Sequence, residues 1–134
     1  MRYVPCWKQI GIPKERYLEL LHFCRQYPDW QMEAASMIGI RGMSHDGQPR
    51  GSKKSDPVAA AAERREQLMR KIGIVDACAR DVGSGEWYTA IIQNVCMGRP
   101  YMQIDPALMP TSHRADFFLR RRQFFELLHK KTER

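Results

Sequence analysis

The sequence predicts an all-α protein, a bundle of about five helices with a C-terminal helix-turn-helix-like unit and a flexible basic internal loop. Two observations support this fold class: apolar residues recur every three to four positions along several segments, and no segment alternates as a strand would. At 134 residues the chain has the length of one domain, and a hydrophobic content of 43% is enough for a modest core. We expect residues 1–38 to fold together with residues 56–134, and residues 39–55 to form the loop.

The N-terminal segment is expected to contain two helices. Pro13 suits the first turn of a helix over residues 14–26, where the apolar side chains fall at helical spacing. Pro28 should end that helix, and Asp29 is a suitable N-cap for a short second helix.

The composition changes over residues 39–55, where glycine, serine and basic residues predominate. Such a stretch has little apolar surface to bury, so it predicts a flexible loop. Its glycines lack the Gly-Lys-Ser/Thr ending of a phosphate-binding P-loop. The cations of this loop are Arg50, Lys53 and Lys54. They either contact a phosphate backbone or remain solvated.

A long amphipathic helix is expected over residues 57–80. Ser55 and Asp56 offer capping side chains, and Pro57 suits the first helical turn. Its apolar residues at three- to four-residue spacing form one seam, and they are Leu68, Ile72, Val75 and Ala79. The seam fits either the core of a monomer or the interface of a homodimer through this helix.

A short apolar helix over residues 87–97 is expected next. It follows a Gly-Ser-Gly turn in which Ser84 is the candidate cap. Gly98 lies just past its end, where helices often require a positive φ.

The following residues have the layout of a helix-turn-helix, in which a supporting helix and a tight corner hold a second helix against DNA. The apolar residues Tyr101, Ile104 and Leu108 recur at i, i+3 and i+7, as the packed face of a supporting helix requires. Pro106 fits only if that helix begins near Asp105, with Pro106 in its first turn. Pro110 then forms the corner, and Ser112 is placed to cap the last helix.

The last helix combines an aromatic core face with basic residues. Its expected core residues are Phe117, Phe124 and Leu128, with Phe118 and Phe125 widening the face. Three consecutive arginines spread over about 200° of the helix, so at least two of them face solvent or a ligand. The candidate base or phosphate contacts are His113, Arg114 and either Arg120 or Arg121, and the candidate phosphate contacts are Arg121, Arg122 and Lys130. Alternatively, these arginines solvate the helix or cover apolar surface with their stems.

The net charge of +7 and the pI near 9.5 favour a polyanionic partner such as DNA or RNA. The apolar runs are too short to span a membrane, and the N-terminus lacks the apolar stretch of a signal peptide. We therefore expect a cytoplasmic protein that has no membrane partner.

Catalysis, metal binding and cofactors are not expected. The cysteines are too far apart in sequence for a zinc knuckle, and the histidines show no metal-ligand spacing. Cys24, Cys78 and Cys96 fall among apolar helical residues, where a free thiol behaves as a small hydrophobe. No pair of carboxylates lies in an apolar setting that would indicate general acid–base catalysis.

Three segments carry a family resemblance. They are residues 17–27 (Tyr-Leu-Glu-Leu-Leu-His-Phe-Cys-Arg-Gln-Tyr), 55–57 (Ser-Asp-Pro) and 117–128 (Phe-Phe-Leu-Arg-Arg-Arg-Gln-Phe-Phe-Glu-Leu-Leu). The chain resembles small phage and prophage proteins of Gram-positive bacteria, distant relatives of the ArpU/RinA-type late transcriptional regulators. The C-terminal end of that group is similar to region 4 of sigma factors, a helix-turn-helix that reads promoter DNA. The resemblance implies a DNA-binding transcriptional regulator that binds double-stranded DNA in the cytoplasm of a bacterial host.

The chain departs from the sigma-like pattern at the turn, where residues 108–116 read Leu-Met-Pro-Thr-Ser-His-Arg-Ala-Asp. The small residues expected early in the basic helix are replaced by histidine, aspartate and two phenylalanines. This departure and the basic loop motivate an alternative: an accessory phage protein that inhibits a host protein or defence complex, as anti-CRISPR proteins do. A virion-assembly subunit is a third, weaker hypothesis.

Overall fold

A computed structural model describes residues 4–43 and 57–133, and within these ranges the chain is helical with no strand. The predicted all-α class is therefore confirmed. In chain order the α-helices are α1 (Cys6–Gln9), α2 (Lys14–Arg25), α3 (Tyr27–Met43), α4 (Pro57–Arg80), α5 (Tyr88–Ile91) and α6 (Arg114–Thr132). A π-helical turn (Ile92–Cys96) follows α5, and two 3-10 turns (Tyr101–Gln103 and Pro106–Leu108) precede α6.

The first two predicted helices form, but the boundary between them differs from the expectation. α2 ends at Arg25 and α3 begins at Tyr27, two residues before the expected cap at Asp29. Pro28 therefore lies in the first turn of α3. The missing amide N–H costs little there, because an N–H in the first turn has no acceptor within the helix.

The predicted loop over residues 39–55 is wrong at its N-terminal end, because α3 continues to Met43. Once a helix has formed, each further residue adds a backbone hydrogen bond, so Gly39 and Gly42 weaken α3 without ending it. The remaining positions of the predicted loop lie outside the described residues. They include the candidate phosphate contacts Arg50, Lys53 and Lys54 and the expected capping residues Ser55 and Asp56.

α3 and α4 pack against each other in antiparallel orientation. Arg64 of α4 donates from Nε to Oε2 of Glu33 on α3 at 2.9 Å. The Lys71 ammonium lies 5.5 Å from the centre of the Trp30 ring. As residue numbers increase along α3, the numbers of the contacting residues on α4 decrease. The two helices form one layer of the bundle.

The apolar seam of α4 lies in the core of this chain. The seam residues are at most 6% exposed, and they are Leu68, Ile72, Val75 and Ala79. The structure therefore uses the seam as the core face of a monomer. A homodimer through residues 57–80 would have to use another face of the helix.

α6 contributes the largest aromatic part of the core. Its fully buried side chains are Phe117, Phe124, Phe125 and Leu128. Phe118, which was expected to widen this face, is half-buried. The predicted core face of the last helix is confirmed. The same hydrophobic cluster includes buried residues from both described ranges, between positions 12 and 34 and between positions 68 and 128.

The helix predicted over residues 87–97 forms as α5, continued by the π-helical turn. Gly98 ends it with a φ of 72°, and a Cβ there would lie 3.2 Å from Nη1 of Arg25. Glycine thus fits both the left-handed backbone and the close guanidinium. Arg25 also donates from Nε to the carbonyl oxygen of Val95 at 2.8 Å, so α2 satisfies one carbonyl at the end of the turn.

The supporting helix predicted from Asp105 does not form. Within the described residues 98–113, the chain makes two separate 3-10 turns of three residues each. Proline explains the difference, since it disfavours helical backbone in the residue before it. Asp105 precedes Pro106 and has a ψ of 121°, and Met109 precedes Pro110 and has a ψ of 131°. A helix cannot continue through either residue, so α6 is not preceded by an α-helical partner of the expected kind.

Ser84 and Ser112 do not cap the helices that they were expected to cap. The N-cap of α6 is His113, which makes no side-chain cap hydrogen bond, and its backbone N–H donates to Oγ1 of Thr111 at 3.3 Å. The Thr111 hydroxyl donates to Oδ2 of Asp116 at 2.8 Å, so Thr111 braces the first turn of α6 from the preceding loop. α5 has no side-chain cap, because Ser84 lies three residues before its N-cap position.

A polar cluster ties α3, α4 and α5 together. The hydroxyls of Tyr27 and Tyr88 donate to Oδ1 of Asp76 at 2.6 and 2.5 Å, and the two hydroxyl oxygens are 3.3 Å apart. The Arg80 guanidinium lies 4.6 Å from the centre of the Tyr88 ring. Burial and the bond to Asp76 raise the pKa of Tyr27 well above its usual range, because both favour the neutral phenol.

Tyr27 is expected to make stability depend on pH in the alkaline range. Its folded pKa is raised above the unfolded value of about 10, so its contribution is complete below about pH 10 and is lost as pH rises beyond that. Tyr27→Phe should lower the free energy of unfolding by about 0.5–1.5 kcal/mol at neutral pH and flatten the decline above pH 10. Urea unfolding followed by circular dichroism would measure both. Parallel pH curves for the two proteins above pH 10 would contradict the assignment.

Candidate nucleic-acid interface

α6 carries an excess of positive charge that the described part of the chain leaves without ion pairs. Between residues 114 and 132 there are six lysines and arginines against two carboxylates. The Lys and Arg ion pairs found among the described residues join Arg16–Glu19, Arg64–Glu33 and Arg70–Glu66, and all of these lie on other helices. Within residues 4–43 and 57–133, no carboxylate therefore lies at ion-pair distance from a lysine or arginine of α6. Where each cation points decides what it can bind.

Arg121 points inward and is held by the protein itself. It donates from Nε to Oδ1 of Asn94 at 2.8 Å and from Nη2 to the hydroxyl oxygen of Tyr17 at 3.0 Å. Its guanidinium carbon lies 5.0 Å from the centre of the Phe125 ring. These contacts join α6 to α2 and to the π-helical turn. The Arg121 guanidinium is therefore occupied by contacts within the protein, and its predicted contact with a base or phosphate stays a prediction.

Arg120 and Arg122 lie on opposite flanks of α6, because each residue turns the helix by about 100° and Arg121 between them faces the core. Arg120 donates from Nη1 to Oε1 of Gln123 at 2.9 Å, beside the turn that contains Gly83. Arg122 lies close to α1: burial raises the pKa of the Cys6 thiol, and the charges of Arg121 and Arg122 oppose that shift. The three consecutive arginines therefore do not form one basic patch.

Arg114 is exposed and lies against two aromatic rings. Its guanidinium carbon is 5.2 Å from the centre of the Tyr101 ring and 5.2 Å from the centre of the Phe118 ring. Nη1 also approaches Sδ of Met102 at 4.0 Å. Such cation–π contacts orient the planar cation without neutralising its charge.

The other candidate contacts on α6 are separated from Arg114. His113 is exposed beside it, whereas Lys130 is exposed about 24 Å further along the helix, at a rise of 1.5 Å per residue. Sequence reasoning missed two features. Lys131 is exposed next to Lys130 in the last turn, and Tyr101 was expected to serve only as a packing residue.

The other side chains considered in the sequence are the candidate metal ligands and the cysteines. No group of three or more His, Cys, Asp or Glu residues among them has a geometry that would hold a metal ion. Cys24, Cys78 and Cys96 are buried free thiols, as expected. Burial raises the pKa of Cys78 to about 11, so this thiol stays protonated at neutral pH.

Comparison with protein-family models, curated proteins and solved structures finds no match to this chain. Among residues 4–43 and 57–133, none of the helices combines the length and the apolarity needed to cross a bilayer.

Arg121 is expected to matter for stability. Arg121→Met keeps much of the apolar stem but removes the donors to Asn94 and Tyr17, so the free energy of unfolding should fall by about 1–3 kcal/mol. Lys130→Met on the exposed face is the matched control, and it should change stability by less than about 0.5 kcal/mol. Chemical denaturation of both variants would measure the difference. Equal stability of the two variants would show that the contacts of Arg121 do not support the fold.

Proposed function

We propose that this chain binds nucleic acid through the basic surface of α6, and that it acts as a phage-encoded DNA-binding regulator of transcription. The observation that carries the proposal is the excess of cations on α6 without carboxylate partners among the described residues. Arg114, Lys130 and Lys131 are exposed along this helix. The overall charge of +7 acts in the same direction, because it attracts any polyanion.

The physical basis is the release of counterions. Like charges along one helix repel each other, and a bound phosphate backbone relieves that repulsion. Binding also releases into solution the salt cations that had been condensed on the phosphates. The exposed cations extend over about 24 Å. At about 3.4 Å per base pair, this length corresponds to about seven base pairs of duplex, but Lys130 lies about 160° around α6 from Arg114, so the two ends contact phosphates on different faces of the helix.

The finer part of the proposal, a transcriptional regulator, rests on the resemblance of residues 117–128 to the sigma-like regulators. Base reading by such a protein would fall to the start of the recognition helix, where side chains reach base edges and where His113 is exposed. The alternative function, inhibition of a host protein or defence complex, predicts a protein partner that persists after nuclease treatment.

Binding to mixed-sequence DNA is expected to weaken steeply as salt concentration rises. Lys130→Ala should weaken binding and reduce the slope of log K against log salt by about 0.7–0.9, the effect of one lost phosphate contact. Arg70→Ala is the matched control, because it removes one exposed cation from α4 and leaves α6 intact. Fluorescence anisotropy with labelled single- and double-stranded DNA across a salt series would measure these slopes.

Three results would contradict the proposal. Binding that barely changes between low and moderate salt would exclude a phosphate-based interaction. Equal losses of DNA affinity for Lys130→Ala and Arg70→Ala would show that binding depends only on the net charge of the protein. No binding to either form of DNA, together with a protein retained from nuclease-treated host lysate, would favour the inhibitor alternative.

A further inference from the structure

One surface cluster combines an exposed charge with two half-buried aromatic rings and differs from the rest of α6. It consists of Arg114, Tyr101, Phe118 and Met102, and we refer to it as the Arg114 stack. The centres of the Tyr101 and Phe118 rings are 5.8 Å apart with planes tilted by 40°. The Arg114 guanidinium carbon lies 5.2 Å from each centre. The cation therefore sits over the junction of the two rings.

The stack rests on the core, so its position is fixed. Phe117 is fully buried, and its ring centre is 5.2 Å from that of Tyr101 and 5.1 Å from that of Phe118. Tyr101 and Phe118 themselves are half-buried, while Met102 beside them is 79% exposed. A platform held from beneath by a core residue loses little conformational entropy when a ligand covers its outer side.

The charge of Arg114 remains available to a ligand. The acidic side chains nearest to it in sequence are engaged with other groups: Asp116 accepts from Thr111 at 2.8 Å, and Asp105 accepts from the backbone N–H of Ala107 at 2.9 Å. Among the described residues, no carboxylate lies within ion-pair distance of Arg114. The two aromatic rings thus orient the Arg114 guanidinium, and no carboxylate among the described residues pairs with it.

The geometry favours the face of a base over its edge. Reading a base edge in a duplex requires an arginine that extends into the groove and presents two donors side by side. Arg114 instead lies back on its own rings, where an incoming base can stack on the guanidinium plane and contact Met102. The faces of bases are covered by their neighbours in a duplex and are accessible in single strands.

We infer that the Arg114 stack is a stacking site for an unpaired base, and that single-stranded nucleic acid is the ligand class of this chain. The inference rests on the proposed function, and it replaces double-stranded DNA as the preferred partner. Lys130 lies about 160° around α6 from Arg114, so it would hold the backbone of the same strand only where that strand crosses over the helix.

The test compares three ligands of equal length: a single strand carrying 2-aminopurine, its duplex, and a strand made of abasic sites. The single strand should bind about tenfold more tightly than the abasic strand, since each stacked base adds a measurable gain in affinity. It should also bind more tightly than the duplex. The 2-aminopurine fluorescence should be quenched on binding, because stacking quenches it.

Arg114→Lys separates stacking from charge. Lysine keeps the positive charge but lacks the plane, so the variant should lose the quenching and the tenfold preference while the salt dependence stays the same. Arg70→Lys on α4 is the matched control and should behave as the unchanged protein does. Thermal melting by circular dichroism would verify that both variants are folded.

The outcomes distinguish the inference from the function on which it rests. Equal or tighter binding of the duplex, equal binding of the abasic strand, or quenching that survives in Arg114→Lys would each overturn the stacking site and leave nucleic-acid binding in place. Failure of all three ligands to bind at low salt would overturn both.

Discussion

The inward direction of Arg121 determines how charge is distributed over this protein. Its guanidinium bonds Asn94 and Tyr17 and packs on Phe125, so a cation lies on the same side of α6 as the buried phenylalanines. A buried cation is tolerated when its donors are satisfied and its stem covers apolar surface. Because consecutive residues diverge by about 100°, this placement sends Arg120 and Arg122 to opposite flanks.

The run of three arginines therefore does not form one exposed basic surface. The exposed cations lie instead toward the two ends of α6, with Arg114 at the start and Lys130 and Lys131 in the last turn. The two ends differ in character. The C-terminal lysines are simple charges that also suit the negative end of the helix dipole, whereas Arg114 is oriented by aromatic rings.

Periodic features of this fold could be predicted from the sequence, whereas features that depend on contacts between segments could not. The α4 seam and the α6 core face follow from helical spacing, and the structure has both. The supporting helix near Asp105 was expected because apolar spacing was given more weight than Pro106 and Pro110, which fix extended backbone before them. Arg121 was placed among the ligand contacts because its partner Tyr17 is 104 positions away in the chain. The Arg114 stack was missed because Tyr101 and Phe118 were interpreted as packing residues only.

The most direct test of this account uses the methionine methyl groups as reporters in NMR. Met102 lies in the Arg114 stack, while Met32 and Met69 are exposed on α3 and α4 and serve as internal references. Titration of a methyl-labelled protein with a single-stranded oligonucleotide should shift the Met102 signal at the lowest concentrations and leave Met32 and Met69 unchanged. Shifts at Met32 or Met69 with Met102 unchanged would place the bound ligand elsewhere and contradict the account.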